Sequence, residues 1–352
     1  MSAKNHVALS LLTALALTGL PLPAGAEPAP VYGAPAAKIT NQTNKGAFFK
    51  GDVLTKLPEL KPVPDTKVHE VWLDLSHKLV DIDKGVKFEG WTFGDSVPGP
   101  TVHVRQGDRV IFHMSNRSNE TTKVTFPMPH SIDFHAAMVN PIDKYQTINP
   151  GQTISFEWTA NYPGIFMYHC GTPMLLHHMC MGMYGAVVVD PTGGYPDKVD
   201  REYVLVQSEF YTQVQDPKRP KVLSANITAA QNKQPTYVTF NGKVARHVQE
   251  PLKAKPGERV RLYVLNVGPC DTSSFHVVGT IMDKVYLDGN PNNLLRGLQT
   301  VLLGSSSGAV VELQIPEAGR YPFVDHEFAD ASKGAIGIID ATDGKAPQGA
   351  AE

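Results

Sequence analysis

The feature that most constrains the fold of this chain of 352 residues is an internal repeat with an offset of about 150 residues. Four short motifs of the first half recur in the second half in the same order. Such a pattern indicates duplication of one structural unit. The paired motifs are residues 107–110 (GDRV) with 257–260 (GERV), 151–156 (GQTISF) with 308–313 (GAVVEL), 161–166 (NYPGIF) with 316–321 (PEAGRY), and 185–190 (GAVVVD) with 334–340 (GAIGIID).

Short β-strands rather than helices account for the apolar stretches of both halves. The chain contains 30 glycines and 28 prolines, 58 of its 352 residues, and they interrupt apolar runs of roughly alternating pattern. No helical pattern of comparable strength is present. We therefore predict an all-β protein in which each repeat forms a Greek-key β-sandwich. Strands are predicted at residues 68–75, 101–104, 109–112, 152–158, 164–169 and 184–189.

The first 26 residues have the features of a secretory signal peptide. Lys4 precedes an uncharged apolar run at residues 7–20, and Ala24-Gly25-Ala26 is a cleavage site of the A-x-A type. We expect export to a periplasm. We also expect a soluble mature protein with no membrane contact, because no later apolar run is long enough to span a bilayer.

The chain therefore divides into five expected parts. The turn-forming residues 190–194 (DPTGG) close the first repeat, and the boundary between the two sandwiches is expected near residues 196–202. The parts are the signal peptide at 1–26, an extended N-terminal arm at 27–66, a first domain at 67–195, a second domain at 196–345 and a tail at 346–352.

Charge and cysteine count exclude several classes of function. The 32 Lys and Arg residues nearly balance the 34 Asp and Glu residues, which argues against a nucleic acid or an anionic membrane as a partner. Three cysteines accompany 13 histidines. This excludes a disulfide framework and leaves at least one cysteine unpaired within the chain.

Residues that can bind a soft metal concentrate between positions 169 and 183. Cys170, His178 and Met183 follow the spacing C-x7-H-x4-M in a loop between two strands, and His130 is available from a neighbouring strand. A thiolate, two imidazoles and a thioether suit copper that cycles between Cu(I) and Cu(II). These four residues predict a type 1, or blue, copper centre.

A second metal is expected on the other side of the same strands. His169 is adjacent to Cys170, and His135 follows His130 by five positions, so the members of each pair point in opposite directions on regular strands. Two histidines are too few for a firm site. The third ligand must come from elsewhere in the chain, and His326 is the candidate.

These residues lie in motifs that resemble the two-domain copper-containing nitrite reductases. The resemblance covers about residues 65–345 and implies two tandem cupredoxin-like domains. The motifs are VPGP at 97–100, HxxDFHAA at 130–137, PGxFxYHC at 163–170, GMxG at 182–185, FNG at 240–242, HVVG at 276–279 and VDH at 324–326.

The resemblance implies one type 1 and one type 2 copper per subunit, with ligands at matching positions. Type 1 copper would be held by His130, Cys170, His178 and Met183, and type 2 copper by His135, His169 and His326. His326 would reach across the interface of a homotrimer. Asp133 and His276 match the proton-handling pair of the family, and Val278 matches the aliphatic residue over the type 2 copper. The implied reaction is one-electron reduction of nitrite to nitric oxide, with a small cytochrome c or cupredoxin as electron donor.

Several residues near the ligands allow more than one interpretation. His177 could replace His178 as the ligand, although the x7 and x4 spacing favours His178. Cys180 could be a small buried apolar residue, a spare soft ligand or a redox-sensitive thiol, and a Cys180–Cys270 disulfide is conceivable. Cys270 is otherwise expected to be inert. We expect the remaining histidines to be structural or exposed: His69, His77, His103, His113 and His247.

Two other functions are compatible with parts of this pattern. A cupredoxin-type electron carrier needs only the type 1 ligands and leaves His135, Asp133, His276 and His326 without a role. A two-domain multicopper oxidase needs eight histidines in H-x-H and H-C-H pairs, but Asp133 stands two before His135 and Gly171 follows Cys170. The second half contains no His-Cys pair.

Overall fold

A computed structural model describes residues 29–121 and 124–342 of the chain. The predicted signal peptide and the predicted tail lie outside these described residues. The first half consists of short strands and three short helical segments. The strands are β1 Lys38–Thr40, β2 Phe49–Lys50, β3 Leu54–Thr55, β4 Val68–Leu73, β5 Leu75–Asp83, β6 Val86–Phe93, β7 Thr101–Arg105, β8 Arg109–Ser115, β9 Asp133–Phe134, β10 Thr153–Thr159, β11 Gly164–His169 and β12 Tyr184–Asp190. The helical segments are a 3-10 turn at Ser118–Glu120, α1 Pro141–Lys144 and α2 Leu175–Cys180.

The second half likewise consists of short strands and short helices. Its strands are β13 Arg201–Phe210, β14 Thr212–Val214, β15 Val222–Ala225, β16 Tyr237–Phe240, β17 Leu252–Lys253, β18 Arg259–Asn266, β19 Ser273–Val277, β20 Met282–Leu287, β21 Leu294–Leu298, β22 Thr300–Leu303, β23 Ser307–Gln314, β24 Arg320–Asp325 and β25 Ile336–Asp340. Its helices are α3 Ile227–Gln231, α4 Arg246–Gln249 and α5 Phe328–Ala331.

Each half is built from two principal sheets around an apolar core. In the first half the sheet orders are β1-β10-β8-β4-β2 and β3-β7-β12-β11-β9. In the second half they are β16-β13-β18-β23-β20-β21 and β17-β25-β24-β19-β22. Alternating residues of both sheets fill each core, with Phe112 and Tyr168 in the first and Val264 and Phe323 in the second. The predicted all-β class with two sandwiches is confirmed.

Strand pairing repeats between the halves as the sequence motifs do. β4 and β8 are parallel like β13 and β18, and β8 and β10 are antiparallel like β18 and β23. β7 and β12 are parallel like β17 and β25, and β11 and β12 are antiparallel like β24 and β25. Strand β9 lies beside β11 as β19 lies beside β24. The two halves therefore share one topology, which brings His169 and Asp325 to the ends of corresponding strands.

Contacts across the predicted boundary between residues 195 and 196 tie the halves together. A third apolar cluster joins β11 and β12 to β13, β18 and β23, with Tyr184, Val188, Val206 and Leu265 among its members. Strand β15 also pairs with β6 of the first half, although it follows that boundary in sequence. The boundary itself stays a prediction.

The described part of the predicted N-terminal arm supplies three edge strands. β1 pairs with β10, β2 with β4, and β3 with β7. These strands are only two or three residues long, which is too short for a recognisable alternation in sequence.

No helix among the described residues has the length and apolar character that crossing a bilayer requires.

Candidate metal centres

A buried group of potential ligands forms where three segments of the first half converge. His130 precedes β9, Cys170 directly follows β11, and His178 lies in α2. Cys170 Sγ is 3.2 Å from His178 Nδ1 and 3.9 Å from His130 Nδ1, and the two Nδ1 atoms are 3.2 Å apart. All three side chains are buried. The three ligand atoms converge on one point, and hydrogen bonds among them cannot satisfy all three. This arrangement fits a bound cation.

Met183 joins this group through its backbone and its burial. Its carbonyl oxygen accepts the Cys170 N–H at 3.2 Å, and its own N–H donates to the His178 carbonyl oxygen at 3.2 Å. The side chain is completely buried. The donor set of thiol, two imidazoles and thioether resembles a type 1 copper site.

Burial sets the protonation of these groups. It raises the pKa of the Cys170 thiol, although the Ser131 N–H donates to Sγ at 3.4 Å and opposes this effect. It also lowers the pKa of His178 to about 4 and that of His130 well below its ordinary value. Both imidazoles are therefore neutral at pH 7 and can offer a lone pair. The thiol must release its proton when it binds a metal.

The helix α2 separates the roles of the two adjacent histidines. Consecutive helical residues point about 100° apart, so His178 faces Cys170 while His177 turns outward. The half-buried His177 ring stacks on Trp91 with a centroid distance of 5.1 Å.

All three cysteines are free thiols, so the structure contains no Cys180–Cys270 disulfide. Cys180 is buried in the apolar core of the first half.

A second, more open group lies on the other side of β9 and β11. It consists of Asp133, His135 and His169. His169 Nε2 lies 3.1 Å from His135 Nε2 and 3.8 Å from Asp133 Oδ2. His169 Nδ1 donates to the Cys170 carbonyl oxygen at 2.9 Å, which leaves the Nε2 lone pair facing His135. Partial burial and the neighbouring His169 lower the pKa of His135, and Asp133 opposes this shift.

Two of the remaining predicted site residues, His276 and His326, lie together in the second half. The rings of His276 and His326 have centroids 5.3 Å apart. His326 is exposed, as is 43% of Val278. Within one chain, the described residues that could share a metal with His135 and His169 do not include His326.

A buried carboxylate fixes the loop that carries His326. Asp325 Oδ1 accepts the N–H groups of Ser274 and Glu327 at 2.9 and 3.1 Å, and Oδ2 accepts Nε2–H of Gln207 at 2.6 Å. The His326 N–H donates to the Ser274 carbonyl oxygen at 2.8 Å. Sequence reasoning missed Asp325, whose only signal was its place before His326 in the VDH motif.

Replacing Asp325 by alanine should lower the free energy of unfolding by about 2 kcal/mol, because one buried and two partly buried donors lose their acceptor. Urea unfolding of the copper-free protein measures this loss. Asp283→Ala is the matched control, because Asp283 forms an exposed pair with Arg259 and should change the stability by less than about 0.5 kcal/mol. Equal stability of the two variants would contradict the role of Asp325.

Comparison with known proteins identifies the family. The family model described as multicopper oxidase matches residues 74–193. The copper-containing nitrite reductase of Neisseria gonorrhoeae is 38% identical over 304 residues, which cover 84% of this chain and 75% of the relative. This chain belongs to the copper-containing nitrite reductases. The corresponding protein of Cereibacter sphaeroides is 30% identical over 367 residues, covering 94% of this chain and 92% of that relative.

Solved structures agree with this membership. The copper nitrite reductase from Nitrosomonas europaea has 37% identity and a TM-score of 0.69, and the match covers 81% of this chain and 98% of that one. The Thermus scotoductus enzyme has 35% identity and a TM-score of 0.67, with 78% of this chain and 62% of that one covered. The resemblance inferred from the motifs is confirmed, and so is the class of the protein as a copper-dependent oxidoreductase.

Proposed function

We propose that this nitrite reductase converts nitrite to nitric oxide with two coppers per subunit. Type 1 copper is held by His130, Cys170, His178 and Met183, and type 2 copper by His135, His169 and His326. When bound, copper supplies one-electron redox chemistry and a Lewis-acidic position that an anion can occupy. The electron comes from a small donor protein, a cytochrome c or a cupredoxin.

The adjacency of His169 and Cys170 gives this proposal its main support. The Cys170 side chain belongs to the buried group and the His169 side chain to the open group. A single peptide unit, with His169 Nδ1 bonded to the Cys170 carbonyl oxygen, therefore links the two groups. An electron that enters at the buried group has a short covalent route to the open group, where an anion can reach it.

Asp133 and His276 deliver the protons of the reaction. Nitrite takes up one electron and two protons to form nitric oxide and water, so two proton transfers accompany each turnover. The Asp133 carboxylate lies beside His169 and His135 at the open group. His276 Nδ1 donates to the Gln299 carbonyl oxygen at 2.5 Å, which leaves Nε2 available for proton exchange. Val278 limits the space in which nitrite binds.

A second copy of the chain completes the open group. His135 and His326 are both exposed and belong to separate clusters of the single chain. Ligands presented on two exposed surfaces fit an interface between subunits. The family resemblance favours a homotrimer, in which each of three interfaces holds one such site.

Export to a periplasm belongs to the same proposal. Its support is the signal-peptide pattern of residues 1–26. Cell fractionation of the native host should recover the activity with periplasmic markers, and recovery with cytoplasmic markers would contradict export.

Nitric oxide release from nitrite, with a reduced donor, tests the activity directly. The purified protein should hold two coppers per chain and absorb strongly in the visible range. One copper per chain without nitric oxide release would instead indicate an electron carrier. Oxygen consumption without nitric oxide release would indicate a multicopper oxidase.

Asp133→Asn should keep both coppers and the visible absorption but lower nitrite turnover by about 100-fold or more, because the amide cannot transfer a proton. Copper analysis and steady-state kinetics measure the two effects separately. Asp143→Asn is a matched control, because Asp143 is a half-buried carboxylate of α1 that pairs with Lys144 and accepts the N–H of Ala37 in the N-terminal arm. Unchanged turnover of Asp133→Asn would remove Asp133 from the proton route.

A further inference from the structure

The outer ring nitrogen of His130 meets a second buried histidine. His130 Nδ1 faces His178 and Cys170, whereas His130 Nε2 lies 3.0 Å from Nε2 of His77. Both histidines are buried. Sequence reasoning placed His77 among the structural or exposed histidines, because its 53-residue separation from His130 gives no sign of contact.

Hydrogen bonds define where the protons of these rings reside. When His130 Nδ1 offers its lone pair to a metal, the ring proton is on Nε2 and donates to His77 Nε2. His77 then carries its own proton on Nδ1, which donates to Thr125 Oγ1 at 2.7 Å. The same oxygen accepts Nε1–H of Trp91 at 2.9 Å. Each ring N–H in this chain of groups therefore meets an acceptor.

Packing holds the His77 ring in the orientation that this hydrogen bond needs. His77 lies on β5 and stacks on Trp91 with a centroid distance of 5.2 Å and an interplanar angle of 16°. It stands nearly perpendicular to His130, at 79°. Within the part of the chain that the structure describes, Nε2 of the other imidazole ligand, His178, is buried without a partner. The two imidazoles of the buried group are thus held in different ways.

We propose that His77 is a positioning residue of the type 1 centre, accepting the outer N–H of His130 so that this ring binds through Nδ1 as a more basic ligand. The inference rests on the proposed type 1 centre. Partners of this kind orient metal-bound imidazoles and raise their basicity. A more basic ligand stabilises Cu(II) relative to Cu(I), so His77 lowers the reduction potential of the centre and strengthens the retention of copper.

His77→Phe in the copper-loaded protein tests this role, because phenylalanine keeps the ring stacking and removes the acceptor. We expect a higher reduction potential and roughly 10- to 100-fold weaker retention of copper against a chelator. His77→Gln should restore part of both properties, because its amide oxygen can accept the N–H. His113→Phe is the matched control, since His113 stacks on Trp72 at 4.3 Å and should leave both properties unchanged.

Thr125→Val keeps the test decisive if His77→Phe does not fold. Valine has nearly the shape of threonine, and the half-buried Thr125 site tolerates it better than the His77 site tolerates a larger ring. Without the hydroxyl, His77 becomes a weaker acceptor, so the potential should rise by a smaller amount. Wild-type potential and copper retention in the folded variants would overturn the role of His77. A wild-type protein without strong visible absorption would overturn the type 1 centre itself.

Discussion

Replacing His326 by alanine should remove one of the two coppers per chain, leave the visible absorption unchanged and lower nitrite turnover by about 100-fold or more. His326 belongs to the exposed cluster of the second half and not to the buried group of His130, Cys170 and His178 that we propose as the type 1 centre. Copper analysis, the visible spectrum and nitric oxide release measure the three effects. His113→Ala serves as the control and should change none of them. Loss of colour in His326→Ala would contradict the assignment of ligands.

Mixing two inactive variants tests whether His326 acts across an interface. His135→Ala and His326→Ala each lack one of the ligands that we propose for type 2 copper. In a mixed assembly, an interface that pairs the intact His135 and His169 of one chain with the intact His326 of another has a complete site. Co-expression should therefore restore part of the nitrite turnover. A site formed within a single chain would show no recovery in the mixture.

Cys170→Ser should abolish the visible absorption and reduce donor-driven nitrite turnover to below about 1% of the wild-type value. Serine preserves the size of the side chain, but its hydroxyl stays protonated and cannot replace a thiolate as a soft anionic ligand. The open group keeps its residues, so the second copper should remain. Absorption spectroscopy, copper analysis and steady-state kinetics with a reduced donor measure these outcomes.

Cys180→Ser is the matched control for Cys170→Ser. Cys180 lies in the same region and is equally buried, but among the described residues the group that could hold a metal with His130 and His178 contains Cys170 and not Cys180. This variant should retain the colour and the turnover with some loss of stability. A colourless Cys180→Ser protein and a coloured Cys170→Ser protein would reverse the assignment of the two thiols.

Much of the fold could be predicted because the duplication is visible in sequence. Strands β7, β8, β10, β11 and β12 fall within a few residues of the predicted positions, and their second-half equivalents follow from the offset. The three edge strands before residue 56 and the pairing of β15 with β6 could not be predicted. Strands of two or three residues are too short to show alternating hydrophobicity, and β15 and β6 are far apart in sequence.

The candidate ligands could be predicted because their spacing carries geometric information. Adjacent residues at a strand end point to opposite sides, and this separates Cys170 from His169. The spacing favours His178 over His177, and α2, which the sequence did not reveal in so short a segment, gives the geometric reason. The contacts of His77 and Asp325 depend on tertiary packing alone, and no local pattern could have indicated them.

Asp325 occupies the position in the second half that Cys170 occupies in the first. The two residues are 155 positions apart, which is also the offset of the motifs at 161 and 316. Each lies at the end of the equivalent strand and is buried, and each accepts a backbone N–H from a serine of the neighbouring segment, Ser274 or Ser131. Three hydrogen bonds satisfy Asp325, whereas the atoms around Cys170 are potential metal ligands. The same position of the duplicated unit is thus a hydrogen-bonded anchor for a loop in the second half and a candidate metal ligand in the first.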